Sequence, residues 1–320
     1  MKISVVIPCY NGEKFIRSAI NSINNQTLQP FEIVVVNDGS KDDSLTVLNE
    51  CEKVSKVPLK IIDQENGGVS SARNVGIAAA EGNLIGFLDV DDLWYPNKLS
   101  LQASIISKCS EKVGLICTDY HIDTKEDINS KYNNSRLVSK LVDREVEGEE
   151  FQLNFIEENF IGTASVMLFN KKLAQKIGCF DIKFNHSEDF DFILRFSQYA
   201  SVYMKNKPLV LKQHHGDNLT DDLALYYHSH AISLRKNIDS TGNYFRSNFS
   251  SQVIKSMKLS HDKFLKEYSN ILFERKQLLG IKSYLFGMFK VYTFEGWRIN
   301  ILGLAGKLLR MLSLNLIKRK

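Results

Sequence analysis

The chain has 320 residues and a net charge of +4, with 43% hydrophobic and 24% charged residues. That usage excludes a collagen-like, mucin-like or wholly disordered chain, and the length allows one large or two small domains. The net charge is too small to indicate a nucleic-acid partner, and none is expected.

The charge is unevenly placed. Residues 281–320 hold eight Lys/Arg against the single acid Glu295, so a slightly acidic body carries a basic tail. Five scattered cysteines form no C-x-x-C pair and suit a reduced compartment. The opening MKISVVIPCYNG has too short an apolar run for a signal peptide. No charge-free apolar run reaches the roughly 18 residues that a membrane span needs.

Uniformly apolar, β-branched runs predict strands at 3–7, 32–36, 59–62, 84–88 and 113–118. Between them, helix-period stretches predict helices at 14–25, 42–54, 70–80 and 96–108. This alternation predicts βαβ units and a mostly parallel, doubly wound, Rossmann-like α/β sheet. Residues 121–160 read as loop plus a short helix. A strand at 164–169, a helix at 171–177, a helical second half of 180–197 and strands near 201–205 and 208–213 follow. From 222 onward the pattern is helical, with a soft boundary near 220 that divides 1–220 from a helical extension at 221–320.

The βα junctions Pro8–Gly12, Asn37–Asp43, Glu65–Ser71 and Asp89–Trp94 all follow strands. Ligands of open α/β sheets bind at the carboxyl ends of strands, so the four junctions point at one crevice. No G-x-G-x-x-G follows the first strand and no G-x-x-x-x-G-K-[S/T] occurs, which argues against a dinucleotide dehydrogenase and a P-loop enzyme.

Asp89 and Asp91 fall on one side of an extended segment, a hard-oxygen pair suited to Mg²⁺ or Mn²⁺ on a diphosphate. Asp92 beside them equally suits an N-cap for the helix near Pro96. Asp38 is placed either to accept from the imide of a base or to make a D-G turn. Tyr10 is placed to stack on a base or simply to sit at the surface. Arg73 lies in a helix's first turn, against the dipole, which asks for an anionic ligand or an acid such as Asp42. Glu188 and Asp189, with Asp181, Asp191 and Arg195 nearby, read as a positioned base or as acids favoured by a helix N-terminus. His214 and His215 are a metal or phosphate contact, or a solvated pair.

Together and in this order, SVVIPCYNG (4–12), VVVNDGSKDDS (34–44), ENGGVSSARNVGIAAAEGNLIGFLDVDD (65–92) and SEDFDFILR (187–195) resemble the inverting family 2 glycosyltransferases of the GT-A fold. The resemblance covers about residues 1–220. It implies a nucleotide-sugar donor, UDP-linked, and a glycan or lipid-linked acceptor in cell-surface polysaccharide synthesis. Pro8, Tyr10 and Asp38 then form the uracil pocket, Arg73 lies near the nucleotide and Asp89 near the ribose. Asp91 ligates Mn²⁺ or Mg²⁺, and Asp189 is the general base with Glu188 beside it. The basic residue and histidine that follow in the family match Lys212 and His215, with His214 and Asp92 as further diphosphate or acceptor contacts.

In the tail, 297–317 sets Lys307, Arg310 and Asn300 against Ile301, Leu308, Leu312 and Leu316. That pattern suits an interfacial helix on the anionic inner face of the cell membrane, which makes the protein cytoplasmic and peripheral, or else a packed helix. Competing readings are a catalytically degenerate nucleotide-sugar scaffold and a sugar-nucleotide pyrophosphorylase. The latter wants an Arg in a glycine-rich loop after the first strand, which CYNG lacks.

Overall fold

The computed structural model describes residues 1–124, 127–130, 135, 137–184, 186–213, 222–239 and 249–274. His214, His215 and the basic tail lie outside the described residues. Strand β1 (Ile3–Cys9) is buried at every position, as is β2 (Glu32–Asp38). Uniform apolarity is what a strand covered on both faces requires. The edge strand β3 (Leu59–Gln64) is only partly covered, and β4 (Leu84–Phe87) is fully buried. Helices α1 (Ile16–Asn24), α2 (Ser44–Val54) and α3 (Val69–Ala79) connect these parallel strands, in the order β3-β2-β1-β4. The chain therefore reverses its winding between β1 and β4, the usual position of a ligand crevice.

The sheet continues through β9 (Met167–Asn170), β6 (Val113–Thr124), β10 (Ser201–Gln213) and β5 (Asp92–Trp94). The short β7 (Asp127–Ser130) pairs with β6, and β8 (Glu145–Val146) pairs with β10. Strands β1, β2, β3, β4, β6 and β10 run one way, and β5, β7, β8 and β9 oppose them. The remaining described helices are α4 (Lys98–Ile106), α5 (Gly148–Glu157), α6 (Lys171–Lys176), α7 (Glu188–Phe196), α8 (Leu223–Asp239) and α9 (Ser251–Glu274).

The mixed α/β architecture agrees with the sequence expectation, and four details differ. The strand expected at 113–118 runs to Thr124, so part of 121–160 is sheet. The strand expected from 164 starts at Met167, because the Thr163 hydroxyl accepts from the Ser165 N–H and closes a 3₁₀ turn over Ala164–Val166. The two strands expected at 201–205 and 208–213 are one strand, with register shifts around Pro208. Proline has no N–H for the ladder, so the strand bulges there without ending. Lastly, Asp92 does not cap α4, whose N-cap is Asn97; it opens the short strand β5.

Helices α8 and α9 share the main core. Ala231, Leu234, Val253, Met257 and Phe264 join the sheet residues in one buried cluster. Beneath α7, Phe180 and Phe192 stack with ring centroids 4.4 Å apart and Phe87 meets Phe180 edge-on at 5.5 Å.

Candidate active site

The loops after β1, β2 and β3 are tied to one another by hydrogen bonds. Asn11 takes a left-handed turn (φ 51); its N–H donates to Ser40 Oγ at 3.0 Å and its Oδ1 accepts from Lys41 N–H at 2.8 Å. The Gly12 N–H donates to Ser44 Oγ at 2.8 Å. Asp38, 3% exposed, accepts from Gly67 N–H at 2.8 Å, Gly68 N–H at 2.9 Å and Gln64 Nε2 at 2.7 Å. Its carboxylate thus fixes the glycine turn. Gly39 (φ 67) must be glycine for a second reason: a Cβ there would meet Asn66 N at 2.7 Å. Pro8 is buried within β1, and Tyr10 stands at the rim, 49% exposed.

Arg73 lies at the centre. It is not a surface residue paired with Asp42; it is buried, and its guanidinium bridges two motifs far apart in sequence. Nη2 donates to Asp89 Oδ1 at 2.7 Å and Nη1 to Glu188 Oε1 at 2.6 Å. The rings of Phe87 and Phe180 flank it at 5.6 and 5.4 Å. Burial alone would lower the guanidinium pKa, but Asp89 and then Glu188 outweigh it and hold the charge. Nε is buried and without a partner. The neighbours of Arg73 on α3 fasten the same region: Ser70 Oγ donates to Phe184 O, and Asn74 bonds both the O and the N–H of Phe180. One helix therefore holds both the Asp89 turn and the loop that leads into α7.

Around Asp89, Thr163 and Ser165 supply hydroxyls that no motif singles out. Thr163 Oγ1 lies 3.1 Å from Asp89 Oδ2 and 2.9 Å from Asp92 Oδ2, and Ser165 Oγ donates to Asp92 at 2.6 Å. Asp92 is 2% exposed, so it supports the site from below and does not line it. Its pKa is pushed up to about 8, chiefly by burial and then by the charges of Asp89 and Asp91. Thr163 has one hydroxyl proton for two carboxylates, so the arrangement closes when Asp92 itself carries a proton. Lys212 donates to Gly162 O at 3.2 Å and its charge favours ionised Asp92.

Asp189 follows Glu188 on the first turn of α7. Its pKa is raised to about 7, by burial first and by the Glu188 charge second, against the pull of Arg73. Of the other acids, Asp191 is fully buried and is held by Arg195, Lys236 and Asn237. Asp181 pairs with Lys236 at 2.8 Å. These two build the scaffold, and Glu188 and Asp189 remain as the acids of the crevice.

Among the described residues, no group of three or more His, Cys, Asp or Glu side chains is arranged to hold a metal ion. Carboxylate oxygens such as those of Asp89 and Asp91 are the hard donors a divalent cation takes, and of these Asp89 Oδ1 is already engaged by Arg73. Burial raises Asp92 first and the charges of Asp89 and Asp91 second, and a cation would offset only the second.

A mostly parallel α/β sheet with a cluster of acids at its strand ends matches a known class. Residues 4–178 match the Glycosyl transferase family 2, and the chain belongs to that family. It is 31% identical over 221 residues to an uncharacterized glycosyltransferase of Rickettsia prowazekii, covering 68% of this chain and 66% of that one. The uncharacterized glycosyltransferase EpsJ of Bacillus subtilis is 30% identical over 221 residues, 68% of this chain and 63% of its own. The chain thus spans less than two thirds of the length of these relatives. In fold it is similar to S. aureus TarS 1–349 in complex with UDP-GlcNAc (TM-score 0.58, 17% identity, 89% of this chain and 90% of that). It is also similar to the Pyrobaculum calidifontis mannosyltransferase PcManGT in complex with GDP-Man and Mn²⁺ (TM-score 0.62, 15% identity, 96% and 80%). The fold is that of the GT-A glycosyltransferases.

Proposed function

We propose that the chain transfers a sugar, with inversion, from a nucleotide donor to a hydroxyl of a glycan or lipid-linked acceptor in cell-surface polysaccharide synthesis. The observation that carries this reading is Arg73 joining Asp89 to Glu188 beside a carboxylate, Asp189, whose pKa is raised to about 7. A base of that pKa is matched to taking the proton of an attacking hydroxyl near neutral pH. Asp89 and Asp91 would hold Mn²⁺ or Mg²⁺, which neutralises charge on a departing diphosphate. Pro8, Tyr10 and Asp38 would receive the base of the nucleotide, with UDP preferred. Arg73, fixed by its two carboxylates, contributes positive charge near the nucleotide without needing to reorganise. Attack from the face opposite the leaving group inverts the anomeric centre, as in inverting glycosidases. Lys212, His214 and His215 are proposed contacts of the diphosphate or metal. The basic tail is proposed to rest on the inner face of the cell membrane, where a lipid-linked acceptor would lie. Among the described residues, no helix is long and apolar enough to cross a membrane.

Thermal unfolding with Mn²⁺ and UDP, GDP or CMP tests the donor. A ligand that binds only the folded state adds about 2.7 kcal/mol at 100 times Kd. The expected result is a UDP shift that needs the metal and is lost in Asp91→Ala. A shift with GDP alone would replace the uracil pocket, and no shift with any nucleotide would favour the degenerate scaffold.

A further inference from the structure

Ser187 enters α7 in the left-handed region, with φ 59 and ψ 21. A residue with a side chain is strained there, and such strain persists only where its surroundings hold it. A serine at a helix N-cap ordinarily turns its hydroxyl onto the first-turn N–H groups of its own helix. Ser187 makes no such bond. Its Oγ lies 2.8 Å from Nδ1 of His230, which comes from α8, beyond the stretch matched to the family.

His230 is 2% exposed and every polar atom of its ring is engaged. Nδ1 also lies 2.9 Å from Tyr226 O, and Nε2 lies 3.1 Å from Asn159 Nδ2. These partners fix the tautomer. A carbonyl only accepts, so Nδ1 carries the proton and shares it between Tyr226 O and Ser187 Oγ; the Asn159 amide nitrogen only donates, so Nε2 is bare. Asn159 cannot turn over without cost, because its Oδ1 accepts from Ile161 N–H at 3.1 Å. Burial pushes the imidazole down to about 4, in keeping with a neutral ring. Phe190 and Tyr226 wedge the ring at 4.5 and 4.1 Å. Further along the helix pair, Lys236 and Asn237 hold Asp191. Helix α8 therefore grips α7 at two points, and the His230 point adjoins the acid pair.

We propose that His230 is a positioning residue: by holding Ser187 in its left-handed turn it sets the first turn of α7, which carries Glu188 and Asp189. The claim rests on the reading of Asp189 as the base. It means that the C-terminal helices complete a site whose candidate residues all lie before residue 216.

The test uses the full chain and the variants His230→Asn, His230→Gln and His230→Ala. An Asn amide reaches the position of Nδ1, whereas a Gln amide reaches that of Nε2 and leaves Ser187 without its partner. Two readouts are taken: deuterium exchange at the Phe190 and Asp191 amides, and nucleoside diphosphate release from UDP-sugars with Mn²⁺. In the Gln and Ala variants exchange should quicken and kcat should fall about 10- to 100-fold, the scale of a small misplacement of a reacting group. Donor KM should stay within about twofold, since binding is not the property lost. The Asn variant should keep both readouts near those of the native chain. The proposal is overturned if Asn and Gln behave alike, if exchange quickens while kcat holds, or if KM rises instead. If the native chain releases no diphosphate from any sugar nucleotide, the proposed function fails separately, and exchange alone still decides whether the tether exists.

Discussion

Asp38 and Asp92 are buried to nearly the same extent, 3% and 2% exposed, one at the end of β2 and the other at the start of β5 in the same sheet. Their surroundings differ in kind. Asp38 receives two backbone N–H groups and the Gln64 amide. Asp92 receives hydroxyls; burial first, and then the charges of Asp89 and Asp91, push its pKa up to about 8 against the Ser165 hydrogen bond. The first carboxylate is satisfied within the chain and holds a loop in shape. The second belongs to a centre with more negative charge than Arg73 and Lys212 neutralise. The crevice thus has a settled wall, suited to shaping a pocket, and a charged floor suited to a cationic or polarised ligand.

Four changes would break or sharpen that contrast. Asp189→Asn keeps the shape of the floor and removes its base. Donor turnover should fall by about 10²- to 10⁴-fold with UDP affinity by calorimetry unchanged. Arg73→Met leaves the partly buried Asp89 and Glu188 without their shared cation, and urea unfolding should record a loss of about 3 kcal/mol, the lower end for a buried pair. On the wall, Asp38→Ala strips the partners from the Gly67 and Gly68 N–H groups. A loss of about 1–3 kcal/mol is expected in the same measurement, together with weaker nucleotide binding. The remaining change is read in the pH dependence of stability. The raised pKa of Asp92 means that the folded chain holds this proton more tightly than the unfolded chain. Stability should therefore fall as pH rises from about 4 to about 8, and Asp92→Asn should flatten that part of the curve.

Much of the wall was readable from the sequence, because uniformly apolar runs such as ISVVIPC and EIVVVND can only be strands covered on both faces. The junction residues that follow those strands converge for the same reason. The floor was less readable. The Asp89–Asp91 pair and Glu188–Asp189 stood out as motifs. Nothing in their spacing showed that Arg73, 115 residues before Glu188, would bridge them. Thr163 and Ser165 carry no signature beyond their i, i+2 spacing, and their role depends on a 3₁₀ turn inside a stretch that reads as strand. The strand at Asp92–Trp94 was hidden because three residues give no periodicity, and because an acid before Pro96 resembles a cap. His230 lay in a helical stretch with no motif, and only packing brings it to Ser187.

The most direct test of the central claim is the pH–rate profile of diphosphate release from a UDP-sugar, measured for the native chain and Asp189→Asn with Mn²⁺ present. With Asp189 as the base, ionised above a pKa of about 7, the native rate should rise with pH through that region. The variant should be slow and flat across it. A variant that keeps the native rate and the native pH dependence would contradict the assignment of Asp189.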